Sequence, residues 1–316
     1  MKIYRRQFIE RSAAAIAAMC LGGISTAFKK DEIPRRMLGK TGLNISLLTL
    51  GGSTVANRNL SDKESIAIIR KAADEGINFF DNAWCYHSGR SEELVGKALM
   101  NGYRERVYLM TKHHGRDPET ARTHLEDSLR RLKTGYIDVW QFHDIRTLAE
   151  VERIHTSGVL DFALKMKKEG KVRFIGFTGH ANPEIHLAML NRGFDWDTIQ
   201  MPVNVLDHHF LSFSNRVIPL AKEKNMGIIA MKTLGGAPGV ILKNKIAAVK
   251  ECLHFAMTLP VSTVCSGIDS LDILNENIGI TKNFIPLDKN QITALLERTF
   301  EASEGGRYES YKRRGI

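Results

Sequence analysis

Eight short apolar runs recur along this chain, each followed by a stretch of helical periodicity, and this alternation restricts the possible folds more than any other feature. The runs occupy residues 45–50, 78–81, 107–112, 138–143, 173–178, 198–201, 227–232 and 262–266. Short strands alternating with amphipathic helices make βα units, whose strands pair in parallel because each helix returns the chain across the sheet. Eight such units over about 250 residues predict a closed (β/α)8 barrel of the TIM type, an α/β fold.

The helices carry end signals as well as periodicity. Ser61-Asp62-Lys63-Glu64 is a capping box, Ile66, Ile69 and Ala73 share one face beyond it, and Gly76 stands where a C-terminal cap belongs. Asn182-Pro183 pairs a cap with a first-turn proline. An open doubly wound sheet is the rival fold, but no Gly-x-Gly-x-x-Gly turn follows the first strand. No internal repeat or linker interrupts residues 28–316, which read as one catalytic domain.

The net charge is +10, yet the basic residues are scattered, with no long run and no zinc-finger spacing, so nucleic acid is not an expected partner. Part of the charge sits at the N-terminus. Tyr4-Arg5-Arg6-Gln7-Phe8-Ile9 precedes a small, apolar stretch, and Ser25-Thr26-Ala27 offers small residues for cleavage after Ala27. This pattern predicts a twin-arginine signal over residues 1–27, hence passage through the twin-arginine export machinery to the periplasm or beyond. The alternatives are an uncleaved anchor or a basic tail on a cytoplasmic protein. The apolar core is too short and too rich in Ala and Gly for a stable membrane span. Cleavage leaves Cys85, Cys252 and Cys265, an odd count without a Cys-x-x-Cys pair, which argues against a disulfide framework.

In a parallel barrel, the C-terminal ends of the strands carry the chemistry. Three consecutive runs end in ionisable residues: Asp81, Lys112 and His143. Tyr86 follows Asp81 by five positions, on the loop that covers the same mouth. Carbonyl reduction needs a proton donor against the carbonyl oxygen. A phenol beside an ammonium suits that role, since the cation favours phenolate and lowers the pKa. Asp81 is then expected to fix Lys112, and His143 to orient the substrate oxygen.

At these residues the chain resembles the aldo/keto reductase superfamily. Asn78-Phe79-Phe80-Asp81-Asn82-Ala83-Trp84-Cys85-Tyr86 resembles its aspartate and tyrosine segment, and Met110-Thr111-Lys112 and Trp140-Gln141-Phe142-His143-Asp144 its lysine and histidine segments. Gly170-Lys171-Val172-Arg173-Phe174-Ile175-Gly176-Phe177 looks like its fifth strand, and Ser91-Glu92 like the start of its second helix. The match covers roughly residues 36–300. It implies a (β/α)8 barrel, a nicotinamide cofactor held without a Rossmann domain, and reversible reduction of aldehydes or ketones.

The resemblance also implies cofactor contacts. Gly52 and Ser53 follow the first strand, and Thr178 and His180 stand where the family has a Ser-Asn pair. Gln200 keeps the family's glutamine, and Met231 replaces its stacking aromatic. Lys232, Leu234 and Gly235 are placed for the pyrophosphate, Gly267 and Asp269 beside the adenosine ribose, and Glu276 with Asn277 for the adenine, with Ser266 a further cofactor contact. The cofactor is NAD or NADP. The segment from Gly267 to Ile273 carries Asp269 and no cation, which favours NAD, because a carboxylate repels a 2′-phosphate but accepts a hydrogen bond from a 2′-hydroxyl.

His113-His114 and His208-His209 invite a metal reading, but adjacent histidines on a strand point apart and no ligand spacing accompanies them, so no metal site is expected. They are expected instead at the substrate mouth, with Trp84, His87 and Asp207. Such a polar and aromatic mouth suits a small, sugar-like carbonyl or alcohol. Two other readings remain: a non-catalytic nicotinamide-binding sensor, and a sugar epimerase or lyase that retains NAD. The presence of both Tyr86 and Lys112 favours an enzyme over the sensor.

Overall fold

The structure, a computed structural model, describes residues 31–236 and 239–313. The expected signal over residues 1–27 lies outside them. An antiparallel hairpin comes first, β1 (Arg35–Met37) with β2 (Asn44–Ser46). The barrel strands follow: β3 (Leu48–Gly51), β4 (Phe79–Asp81), β5 (Tyr108–His113), β6 (Ile137–Phe142), β7 (Val172–Thr178), β8 (Thr198–Pro202), β9 (Gly227–Met231) and β10 (Thr263–Gly267). All eight pair in parallel with their chain neighbours, and β10 closes on β3.

The strand order is the one expected, and seven of the eight runs differ from their strands by one residue or less at either end. The run 45–50 is the exception. It bends at Leu47 and serves two sheets, its first half pairing with β1 and its second half entering the barrel. Hydropathy hides this bend because Ile45, Leu47, Leu48 and Leu50 are all buried on one side of it or the other.

The hairpin closes the N-terminal end of the barrel. Leu38, Leu43 and Ile45 pack against Phe79, Met110, Val139 and Ile229, which point inward from four strands. Gly39, at φ +52, lies against the β9 backbone, where a Cβ would stand 2.3 Å from the Gly227 nitrogen. Further along the axis the interior turns polar. Thr49 and Thr263 share a hydroxyl hydrogen bond of 2.7 Å, and Gln141 Nε2 donates to Thr198 Oγ1 at 3.1 Å. The gradient ends in charged side chains at the C-terminal mouth. A second, larger core lies between strands and outer helices.

The helix signals hold. Ser61 and Glu64 form the capping box of the helix Asp62–Asp74, and the Asn182 side chain caps Pro183–Leu190. Among the described residues no helix is long and apolar enough to cross a membrane. After the last long helix (Lys289–Thr299) the chain folds back in two 3₁₀ segments, Glu301–Gly306 and Ser310–Arg313.

Candidate active site

Register brings the expected residues together. Asp81 on β4 lies opposite Met110 on β5, so Lys112, two residues on, projects from the same face one step nearer the mouth. Lys112 is 1% exposed, and its three ammonium hydrogens have three acceptors. They are Asp81 Oδ1 in a short ion pair, the Asn82 carbonyl at 2.6 Å and the Tyr86 hydroxyl at 3.3 Å. Asp81 Oδ2 accepts from Gln200 Nε2 at 2.8 Å and from Cys265 Sγ at 3.0 Å. Both carboxylate oxygens are therefore occupied, as a buried charge requires.

The loop after β4 extends the sheet before it turns. Asn82 donates to the Met110 carbonyl and Trp84 to the Lys112 carbonyl, which delivers Tyr86 over the mouth. Its ring stands edge-on to His143, 5.7 Å between centroids. Gly52 is required beneath this loop, where a Cβ would meet the Asp81 carbonyl at 2.6 Å. His87 Nε2 donates to the Ser53 carbonyl at 2.7 Å and pins the loop from the far side.

Charge states follow from burial. Burial pushes the Tyr86 phenol above its ordinary value, and the nearby Lys112 charge only partly offsets this. Lys112 does lower the phenol, as expected, but desolvation outweighs the cation and the net shift is upward. Burial opposes the charged form of Lys112 too, but the Asp81 carboxylate prevails and holds the ammonium above its usual range. Burial, reinforced by Lys112, depresses His143 well below an ordinary histidine, so its imidazole is neutral.

The cofactor residues separate into two groups. Gln200, within β8, donates to Asp81, while Thr178 and Met231 end β7 and β9 and Lys232 follows β9. His180 Nε2 pairs with Asp144 at 3.0 Å, leaving Nδ1 buried without a partner. Leu234 and Gly235 belong to the turn after β9, where Lys232, Gly235 and Gly236 all take positive φ. Beyond that turn, Leu242, Lys245, Glu276 and Arg298 line an open groove of about 610 Å³. Gly267, which ends β10, and Asp269 beyond it are exposed. Ser266 and Asn277 differ from expectation: Asn277 Nδ2 donates to Ser266 Oγ at 3.1 Å between β10 and its helix, so both are buried away from the groove.

The expected substrate residues require more correction. His113 follows the inward Lys112 and so points outward, stacked on Trp140 at 3.9 Å. Asp207 is fully buried, accepting from the backbone of Phe213 and Ser214 and from Lys312. His208 is buried as well, and His209 donates to the Leu296 carbonyl. Trp84 stacks on His124 and donates to Asp127, bracing the loop against the helix Pro118–Leu132. His87 and His114 stay half-buried beside the mouth.

In their place the mouth gains Tyr311, from the C-terminal return. Its ring meets His180 edge-on at 5.6 Å, and Lys232 Nζ lies 5.0 Å from its centroid. Tyr311 donates to Glu309 at 2.7 Å, and Asn204 Nδ2 donates to both. Lys312, fully buried, binds Asp207 Oδ1 at 2.7 Å, the Phe210 carbonyl at 2.7 Å and Glu309 Oε2 at 3.1 Å. No periodicity marks this segment, since 3₁₀ turns held by polar side chains leave no hydrophobic stripe. Its one legible sign is Asn204-x-x-Asp207, two turn-forming side chains directly after a strand.

The sequence profile of the Aldo/keto reductase family matches residues 47–248. This chain belongs to that family. It is 30% identical to the L-galactose dehydrogenase of Arabidopsis thaliana over 306 residues, spanning 83% of this chain and 92% of the plant protein. Two solved aldo-keto reductases share the fold. The Bacillus halodurans protein in its holo form superposes with a TM-score of 0.71 at 22% identity, covering 84% of this chain and 96% of its own. The Klebsiella pneumoniae protein, solved with NADP and acetate, gives 0.66 at 21%, covering 83% and 94%. The chain is accordingly an oxidoreductase of the aldo/keto reductase family.

The C-terminal return predicts its own test. Lys312→Met strands Asp207 and Glu309 as buried carboxylates, and breaking a buried pair costs about 3–5 kcal/mol. Thermal unfolding should shift down by several degrees and limited proteolysis should open the C-terminus first. An unchanged melting temperature contradicts the role given to this network.

Proposed function

We propose that this protein interconverts a carbonyl and an alcohol on a small, hydroxylated molecule, with a nicotinamide dinucleotide as hydride carrier and Tyr86 as the proton donor. The observation that carries this reading is the allocation of the Lys112 hydrogens. With Asp81 and Asn82 taking two, the third goes to the Tyr86 oxygen, so the phenol accepts there and directs its own proton elsewhere. The direction left to it is the mouth.

A nicotinamide fits the same end of the barrel. Gln200 donates its amide nitrogen to Asp81, which leaves Oε1 buried and without a partner. An orphaned acceptor of this kind suits the N–H of a carboxamide. A reduced nicotinamide held there would supply the hydride. His143, neutral and edge-on to Tyr86, holds the carbonyl oxygen. Tyr86 delivers the proton to that oxygen as its charge develops, and Lys112 stabilises the phenolate left behind.

Lys232 and the turn at Leu234 and Gly235 are positioned for the pyrophosphate, and the groove beside Glu276 for the adenine. Asp269 stands exposed in a segment without a cation, which supports NAD over NADP. Ser53, whose carbonyl anchors His87, completes the rim. The signal expected over residues 1–27 adds a constraint. The twin-arginine route carries folded proteins, so an exported reductase takes its cofactor with it and recycles it by alternating oxidation and reduction of envelope substrates.

Tyr86→Phe should lower kcat for an activated aromatic aldehyde by at least about a hundredfold, since general acid catalysis contributes 10²–10⁴, with little change in dinucleotide affinity. Retention of more than about a tenth of the wild-type rate contradicts the assignment. Mass spectrometry of protein isolated from the cell envelope should find NAD bound near one per chain after extensive dialysis. A majority of NADP overturns the cofactor preference, and cofactor-free exported protein overturns retention.

A further inference from the structure

Cys85, His114 and His143 arrive at the mouth from three different places in the chain, the loop after β4 and the residues immediately after β5 and β6. Cys85 Sγ lies 3.2 Å from His114 Nε2 and 3.5 Å from His143 Nδ1. All three ligand atoms lie within 4.8 Å of one another. In a tetrahedral site with metal–sulfur bonds near 2.3 Å and metal–nitrogen bonds near 2.0–2.1 Å, a sulfur–nitrogen edge is about 3.5 Å. Two edges of the triangle are therefore already at ligating separation, and rotation of the half-buried His114 shortens the third.

From this we propose that Cys85, His114 and His143 form a binding site for a thiophilic divalent cation of the zinc type. One thiolate and two imidazoles are a donor set that zinc accepts, and three protein ligands leave a fourth position for water or a substrate oxygen. The surrounding cations do not bar the ion. Lys112 is neutralised by Asp81, Arg116 is paired with Glu150 and Arg146 with Asp144. The proposal departs from the sequence expectation of no metal site. His113 and His114 do point apart, but His114 finds its co-ligands on the loop after β4 and just past β6, where linear spacing has no bearing.

The site itself stands on this geometry. Its effect on turnover rests on the reductase reading: because His143 belongs to both the triad and the carbonyl pocket, a bound ion opposes productive placement of the carbonyl oxygen.

Titration of the full chain with cadmium chloride tests the site independently of activity. One ion per chain should bind with a sulfur-to-metal charge-transfer band in the ultraviolet, and zinc chloride should displace it. Cys85→Ser, which preserves size, and His114→Ala, on a different segment, should each abolish the band or weaken binding at least about tenfold. Cys265→Ser, Cys252→Ser and Cys20→Ser should retain it. Absence of a stoichiometric band in the wild-type protein, or its persistence in either Cys85→Ser or His114→Ala, overturns the proposal, and either variant decides if the other fails to fold. Zinc should also slow carbonyl turnover. Loss of that inhibition alone, with the cadmium band intact, counts against the reductase reading and not against the metal site.

Discussion

Two opposite charges are buried side by side at the head of this barrel, and the arrangement around them follows from the need to keep both satisfied. Removing an ion from water costs several kcal/mol even after relaxation, and attraction to a partner offsets this only when the remaining hydrogen-bond capacity is filled. Here it is filled from four strands and a loop. Asp81 takes Lys112, Gln200 and Cys265, and Lys112 takes Asp81, the Asn82 carbonyl and the Tyr86 oxygen. The (β/α)8 frame supplies what such a pair needs: inward side chains on adjacent parallel strands, a hairpin sealing the opposite end, and a packed outer layer that holds the register.

The phenol is the component whose behaviour this environment changes most. An isolated tyrosine beside a lysine is expected to ionise more readily, but Tyr86 is itself withdrawn from water, and that withdrawal outweighs the cation. The protonated state is consequently the resting one. In the function we propose, this neutral phenol, anchored by an ammonium, gives its proton as charge develops on a bound oxygen, and Lys112 receives the resulting phenolate. His143, kept neutral by the same burial and by Lys112, can act as a hydrogen-bond partner without adding charge.

Much of this was legible in the sequence because parallel strands express their chemistry in order. Asp81, Lys112 and His143 close three successive apolar runs, and once those runs are strands their last residues meet. The same alternation that puts Lys112 inward puts His113 outward, so the placement of His113 at the mouth disregarded a signal already present. Asp207 and Tyr311 were less accessible. Asp207 reads as a polar loop residue until Lys312, 105 positions later, is known to be its partner. Ser266 and Asn277 bond each other across an element boundary that no periodicity reveals. The bend at Leu47 was invisible because both halves of that run are buried, so hydropathy is continuous through it.

In the proposed function, proton delivery turns on a protonated Tyr86 next to a neutral His143, and the pH dependence of a single reductive turnover tests both. Loss of the reductive rate requires deprotonation of a phenol whose pKa is raised above its ordinary value of about 10. The rate of dinucleotide oxidation with a saturating aldehyde should therefore be level from about pH 6 to 9, with no limb near the ordinary histidine value of about 6.5, and should fall only in strongly alkaline solution. The same protein with Tyr86→Phe should show no such alkaline limb on its residual rate. A wild-type rate that declines between about pH 6 and 8 would mean that the proton comes from a group titrating in the neutral range, and would contradict a buried, neutral phenol as the donor.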